Sequence, residues 1–378
     1  MFLLRAVILF FSFCLPLHAQ VLSDLAPPPE LNSRAFLLID LQSGAVLAER
    51  NADERIEPAS LTKLMTAYLA FEALYQKRIT MQQKLPVSVK AWRAPGSRMF
   101  LEPDTEVTVE ALLKGLIVQS GNDAAIVLAE AISGSEAQFA MAMNLEAQRL
   151  GLSNTNFVNA TGLPDPQHYS SARDLATLAG LIVSRFPEHF AFYSLREFTY
   201  NDITQYNRNK LLGRDPHVDG MKTGFTESAG FCLIATARRE ERRLIAVVID
   251  AGSDNARTAE SQKLLNHGFE KFDTHKLYAK GEPVKAIPVW KGSEDHLPAG
   301  FSEDFLVTVP KGRWSQLQAE LESMQPLLAP VRGGQSVGML RLTFDGQPYG
   351  EYPVVALESV AVANIFVRAW HSLRLLLD

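Results

Sequence analysis

Residues 230–237 and 244–249 form two runs that are apolar along almost their whole length. A strand with one wet face alternates apolar and polar residues. A strand without that alternation has to be covered on both faces, so these runs require packing layers above and below a sheet. Residues 35–40 and 45–49 flank Gln42-Ser43-Gly44 as a hairpin, and residues 218–224 read as a further strand. The covering material lies between them. From Ser60 to Lys77, Leu61, Leu64, Met65, Tyr68 and Leu69 recur at helical spacing. Helices are also expected over 108–118, from Asp123 to Gly134, over 136–150 with Gly151 just past the end, and over 258–272. Ser171-Ala-Arg-Asp174 is a capping box that opens another. Strands at both ends with helices in the middle imply one antiparallel sheet carrying a helical cluster, an α+β arrangement.

Past Lys280-Gly-Glu-Pro283 the helical period disappears. Residues 284–290, 305–309, 337–344 and 352–357 are short strands between turn residues. Leu340, Leu342 and Phe344 alternate along one face, and Asp345-Gly346 is a hairpin signal. Single cores rarely pass about 250–300 residues, so 378 residues favour two domains. The expected division is a leader 1–19, a large domain 20–278, a small all-β domain 279–357 and a C-terminal amphipathic helix 358–378.

Arg5, the apolar run 6–17 and Leu17-His18-Ala19 have the layout of a signal peptide cleaved after Ala19. The run is shorter than the roughly 20 residues of a membrane span. Removing it leaves one cysteine, Cys232, so an exported protein would have no internal disulfide to support its core. Cys232 lies in Gly230-Phe-Cys-Leu-Ile-Ala-Thr and reads as a small buried hydrophobe. At the other end, Val362, Ile365, Phe366, Ala369, Trp370, Leu373 and Leu377 share a helical face beside Arg368, His371 and Arg374. Such a helix can lie in a membrane surface or pack against protein. A net charge of −5 with both signs interspersed argues against a nucleic-acid footprint. The eight histidines are scattered and no phosphate-loop glycine pattern occurs, so no metal or other cofactor is expected.

Three short motifs carry the chemistry: Ser60-Leu-Thr-Lys63, Ser120-Gly-Asn122 and Lys222-Thr-Gly224. Each alone is weak. A Ser-x-x-Lys or a Ser-x-Asn is expected about once in a chain of this length, and Ser253-Asp-Asn255 is a second Ser-x-Asn. Setting and order add weight. Pro58-Ala-Ser60 opens an apolar helix, which places Ser60 among free backbone N–H groups, with Lys63 one turn on along the same face. A serine hydroxyl needs a base to become a nucleophile. Lysine is a base only when neutral, which requires burial or a nearby cation, and Lys222 is the expected cation. The competing picture is a serine N-cap beside a solvated lysine. Lys63 sits between Leu61 and Leu64-Met65, a poor place for a solvated lysine. Ser120-Gly-Asn122 breaks two apolar helices and can point a hydroxyl and a carboxamide into a cleft. Lys222-Thr-Gly224 ends a strand whose glycine would let a substrate backbone approach.

Together and in this order the motifs resemble those of the penicillin-recognising serine enzymes, penicillin-binding proteins and serine β-lactamases. Pro58-Ala-Ser-Leu-Thr-Lys-Leu-Met65, Ser120-Gly-Asn-Asp123 and Asp219-Gly-Met-Lys-Thr-Gly-Phe-Thr226 are similar to the low-molecular-mass D-alanyl-D-alanine carboxypeptidases. The resemblance covers nearly all of the chain after the leader. It implies a β-lactamase/transpeptidase-like catalytic domain, a small all-β domain and an amphipathic tail on the outer face of the cytoplasmic membrane, in the bacterial periplasm. It also implies that the substrates are muropeptides ending in D-Ala-D-Ala, with β-lactams as covalent inhibitors. By position, Ser60 would attack the carbonyl between the D-alanines and Lys63 would take its proton. Ser120 would relay a proton to the departing D-alanine, Asn122 would hold the substrate amide, and Lys222 would steady the charge. The N–H groups of Ser60 and Phe225 would form the oxyanion hole. Thr223, Gly224, Phe225, Arg208 and Arg257 would bind substrate, the two arginines near its carboxylate unless they are surface ion pairs. Asp174, on the loop 159–174, would border the deacylation site. That loop carries Asp165 and Asp174 but no glutamate, unlike a class A β-lactamase. Other readings are a D-alanyl endopeptidase or weak β-lactamase on the same fold, or a scaffold with vestigial motifs.

Overall fold

A computed structural model describes Leu22 and residues 25–376, so the expected leader 1–19 lies outside the described residues. The chain divides into two compact units. The first comprises residues 27–42 and 46–271; the second holds residues 43–45 and the chain from Phe272 onward.

The first unit is built on a five-stranded antiparallel sheet. Its strands are β1 (Ala35–Asp40), β2 (Val46–Arg50), β3 (Val218–Thr226), β4 (Gly230–Arg239) and β5 (Arg242–Ala251), in spatial order β2-β1-β5-β4-β3. The apolar runs are β4 and β5, the inner strands, paired Leu233 to Val248 and Ala235 to Ala246. They are covered on both faces, as their composition requires. Helix α5 (Ala172–Arg185) crosses at Gly180, where a Cβ would come within 3.7 Å of Ile245. Helix α6 (Asp254–Lys271) crosses at Gly268, where a Cβ would lie 2.5 Å from Leu244. Successive strand residues point to opposite faces, so adjacent Ile245 and Leu244 put the two helices on opposite sides.

Helices α1 (Lys63–Tyr75), α2 (Val109–Lys114), α3 (Asn122–Ser133) and α4 (Glu136–Arg149) complete the cluster. Ser171 Oγ accepts from Asp174 N at 3.1 Å, the first half of the expected capping box. Gly151 has φ +74°, the left-handed residue that ends α4. Helix α1 is buried on nearly every side. A hairpin absent from the sequence reading, Glu197–Tyr200 with Ile203–Tyr206, turns on Asn201-Asp202 at φ 46° and 59°.

In the second unit, β6 (Phe272–Tyr278) pairs with β9 (Phe305–Pro310). That pairing moves the boundary from the expected 278/279 to Phe272, because a strand belongs with its partner. The strands β7 (Pro283–Pro288), β8 (His296–Gly300), β10 (Leu317–Ser323), β11 (Ser336–Phe344) and β12 (Gln347–Ala356) form a second sheet in the order β7-β8-β12-β11-β10. Leu340, Leu342 and Phe344 are buried with Arg341 exposed between them. Asp345 and Gly346, at φ 52° and 75°, make the tight turn from β11 to β12.

The last helix, α7 (Ile365–Arg374), is capped by Asn364, whose Oδ1 accepts from Phe366 N and Val367 N at 3.1 Å. It starts later than expected because Val360 and Val362 bridge to Val331 and Gly292. No described helix is long and apolar enough to cross a membrane.

Candidate active site

Ser60 sits in a 3-10 turn, Ala59–Thr62, that leads into α1. Its Oγ caps no backbone N–H, and its hydrogen bond is from Lys63 Nζ at 3.1 Å. Lys63 is 1% exposed. Both halves of the bland picture, N-cap and solvated lysine, therefore fail on geometry. Lys63 Nζ also donates to Asn122 Oδ1 at 2.7 Å and to the Thr161 carbonyl at 2.6 Å. Burial, then the positive charge of Arg208, pulls its pKa down to about 7, while Asp123 pushes the other way. The geometry of the neutral form follows. An uncharged amine has two N–H donors and one lone pair. The two shorter contacts take the donors, which leaves the lone pair directed at the Ser60 hydroxyl.

Lys222 had been expected to supply the cation that neutralises Lys63. Arg208 adds to burial in lowering Lys63, and Lys63 and Lys222 disfavour each other's charge by mutual repulsion. Lys222 is itself held well below an ordinary lysine, first by burial and then by Lys63, Arg208 and Arg257. Its Nζ donates to the Thr223 carbonyl at 3.1 Å.

Ser120 ends a π-helical turn, Gly115–Gln119, with left-handed φ 65° and ψ 38°. A non-glycine residue pays about 1–2 kcal/mol to sit there. The result is a hydroxyl, 2% exposed, with no hydrogen-bond partner among the described residues. Asn122 opens α3 and is clamped on three sides. Its N donates to Ser97 O at 2.7 Å, its Nδ2 to Pro95 O at 2.6 Å, and its Oδ1 takes Lys63. Asp123 accepts Met99 N at 3.0 Å and Leu101 N at 3.2 Å, which pins the same loop.

Strand β3 lies at the edge of its sheet, so one side is open to a further strand. Gly224 lines the cavity and also has a packing role. A Cβ there would come 3.1 Å from Pro58 O and 3.4 Å from Ala59 Cβ. The glycine lets the turn that carries Ser60 approach β3. Gly162 does the same from the other side, at φ +84°, where a Cβ would overlap Ala59 O at 1.7 Å. Ala59 itself is left-handed at φ 47°, so the residue before Ser60 is held strained from two directions.

Ser60, Ser120, Asn122, Arg208, Thr223, Gly224, Phe225 and Arg257 line one cavity of about 330 Å³ with Gly96, Ser97, Thr161, Gly162, Leu163 and Thr226. Lys63 and Lys222 are buried beneath it. No carboxylate is among the lining residues. A more open hollow of about 460 Å³ over Glu49, Asp53 and Arg173 carries ion pairs and none of the motifs. Arg208 is exposed, and no hydrogen bond or ion pair to a described residue holds it. Arg257 is not a surface ion pair. It is 6% exposed and braces β3, with Nη1 donating to Gly224 O at 2.9 Å and Cys232 O at 3.2 Å and Nε to Asp254 at 2.8 Å. Phe225 is half exposed and stacks on Phe231 with ring centroids 4.3 Å apart. Asp174 does not line the cavity; it accepts Asn154 N at 2.8 Å and Thr155 Oγ1 at 2.6 Å. Cys232 is fully buried, and burial pushes its thiol up to about 11.

Sequence reasoning passed over His168. Its Nδ1 accepts Val158 N at 3.2 Å, which places the proton on Nε2 for donation to Thr62 Oγ1 at 2.8 Å. Burial holds its pKa down at about 4, so the ring stays neutral above that pH. It fastens the loop that presents the Thr161 carbonyl to the turn that carries Ser60 and Lys63. Asn159 Oδ1 shapes the loop by accepting Thr161 N at 3.1 Å and Gly162 N at 2.7 Å.

Residues 23–253 match the family described as D-alanyl-D-alanine carboxypeptidase, and residues 272–362 match the penicillin-binding protein 5, C-terminal domain. The D-alanyl-D-alanine carboxypeptidase DacC of Escherichia coli is 41% identical over 350 residues, covering 90% of this chain and 88% of that protein. Penicillin binding protein 5 from Haemophilus influenzae is similar in structure, with a TM-score of 0.85 at 39% identity over 88% of this chain and 99% of that one. Penicillin-binding protein D2 from Listeria monocytogenes, solved in an ampicillin bound form, matches at a TM-score of 0.60 and 34% identity over 64% of this chain and 99% of that one. The chain belongs to the D-alanyl-D-alanine carboxypeptidase family.

Proposed function

We propose that this peptidase releases the terminal D-alanine of peptidoglycan pentapeptides through an ester on Ser60, with neutral Lys63 as the base. The observation that carries the reading is the buried Lys63 Nζ, 3.1 Å from Ser60 Oγ, with its two other short contacts on acceptors. Ser60 Oγ attacks the carbonyl of the penultimate D-alanine and its proton passes to Lys63. The N–H groups of Ser60 and Phe225 stabilise the oxyanion. As the amide bond breaks, Ser120 gives its proton to the departing amine and takes the one on Lys63, so D-alanine leaves and Lys63 is neutral again. The substrate chain lies along the open edge of β3, with Thr223, Gly224 and Arg208 toward its terminal carboxylate and Asn122 on its amide. Lys222 steadies the developing charge. Arg257 acts by holding Gly224 in place. With no carboxylate lining the cavity, Lys63 also serves the second half-reaction, in which water cleaves the ester to the shortened peptide and free Ser60.

A β-lactam would follow the first half of this path. Mass spectrometry after exposure to one should find a covalent adduct on the wild type and none on Ser60→Ala. An adduct that survives the substitution removes Ser60 from the role. The relative solved with ampicillin supports the choice of probe.

The expected leader 1–19 would export the chain to the periplasm, and α7 would hold it on the outer face of the cytoplasmic membrane. Ile365, Phe366, Trp370 and Leu373 are exposed along it and Leu376 just past its end, with Arg368 and Arg374 beside them. A chain ending at Leu357 should lose sedimentation with membranes; unchanged sedimentation would sink the anchoring.

A further inference from the structure

Glu57 stands three residues before Ser60, in the segment that β3 packs against. Its Oε2 accepts Ser228 Oγ at 2.6 Å and, more weakly, Thr226 Oγ1 at 3.5 Å. Thr226 lines the cavity that holds Ser60. Oε1 has no hydrogen-bond partner, and Glu57 makes no ion pair, among the described residues; the side chain is half-exposed. The other carboxylates around the cleft are compensated. Asp123 accepts two backbone N–H groups of the neighbouring loop, and Asp254 pairs with Lys210 and Arg257. The nearest cation in sequence, Arg55, lies over the Tyr169 ring, 4.4 Å from its centroid.

The cleft is therefore polarised. Arg208 and Arg257 line one part of it, where the reading above places the terminal carboxylate. The uncompensated negative charge lies past the end of β3, beyond Thr226. A peptide paired along β3 with its terminal carboxylate at Thr223 runs its acyl portion toward Thr226. Three residues span at most about 11 Å, so Glu57 is within reach of a long side chain on the residue before the penultimate D-alanine.

We infer that Glu57, with Thr226 and Ser228, forms a subsite for an ammonium group on the side chain of that acyl residue. The subsite rests on the reading of Ser60 and β3 above. It makes the enzyme select stem peptides with a free basic amine over those in which the amine is blocked.

The test uses two synthetic tripeptides, Nα-acetyl-L-lysyl-D-alanyl-D-alanine and its Nα,Nε-diacetyl counterpart, which differ only in the side-chain charge. D-alanine release gives kcat/KM for each on the full chain. The wild type should favour the free amine about three- to fivefold at low salt, the size of one part-exposed ion pair, and less as salt rises. Glu57→Gln keeps an acceptor for Ser228 and should bring the ratio close to one. Ser228→Lys, at an exposed position, supplies an internal ammonium to Glu57 and should lower the ratio too. The ratio is the readout, so a general loss of activity in a variant does not imitate the effect. A wild-type ratio near one, or a preference that survives Glu57→Gln, overturns the subsite and leaves the reading of Ser60 standing. If neither peptide is cleaved, the reading and the subsite fall together.

Discussion

In strand β11 of the second unit the local preferences agree with the fold, whereas around Ser60 several are violated together. Leu340, Leu342 and Phe344 face inward in strict alternation, and Asp345-Gly346 takes the turn that such a pair favours. The cleft holds two buried lysines, left-handed Ala59 and Ser120, and a buried hydroxyl without a partner among the described residues. Each of those lowers stability, and each lies at the cleft where the reaction is proposed. The difference teaches that the second unit was shaped for packing, while the first holds strain where the chemistry is.

The sharpest break of this contrast is Lys63→Ala. It removes the base and leaves Asn122 Oδ1 and Thr161 O without their buried donor. Ser60 acylation, followed by stopped-flow with a chromogenic β-lactam, should slow by roughly 10³–10⁴, the upper range for a positioned base. Ser120→Gly comes next. Turnover should fall about a hundredfold as the proton relay is lost. Thermal unfolding should show a protein as stable as the wild type or about 1 kcal/mol more stable, because glycine relieves the left-handed strain. A large loss of stability would mean that Ser120 is structural. The smallest effect belongs to the second unit. Gly346→Ala, at φ 75°, should cost about 1 kcal/mol in unfolding and leave D-alanine release unchanged.

What the sequence made legible follows the same divide. The antiparallel sheet, its double covering and the three motifs could be read because they rest on residue type and spacing. The bonds that complete the site could not. Thr161 contributes a main-chain carbonyl, which any residue has, and His168 meets Thr62 across more than a hundred residues of chain. Gly224 also packs against Pro58 and Ala59, which no local pattern reveals. Arg208, which lowers Lys63 after burial, has no motif to mark it, because charge effects depend on distance in space. The edge strand Leu317–Ser323 is passed over although Leu317, Ala319 and Leu321 alternate with Gln318, Glu320 and Glu322. Asn201-Asp202 was a readable turn signal that was passed over.

The account turns on Lys63 being neutral near physiological pH. The direct measurement is the pH dependence of the second-order rate of Ser60 acylation by a β-lactam. A base acts only when unprotonated, so the rate should climb about tenfold per pH unit below the pKa of Lys63 and level off above it. The buried site predicts a midpoint at about 7. Arg208→Gln, which removes a depressing charge, should move that midpoint upward. A rate flat from pH 5 to pH 9, or still climbing toward the ordinary lysine value of 10.5, would contradict the claim that Lys63 is the base.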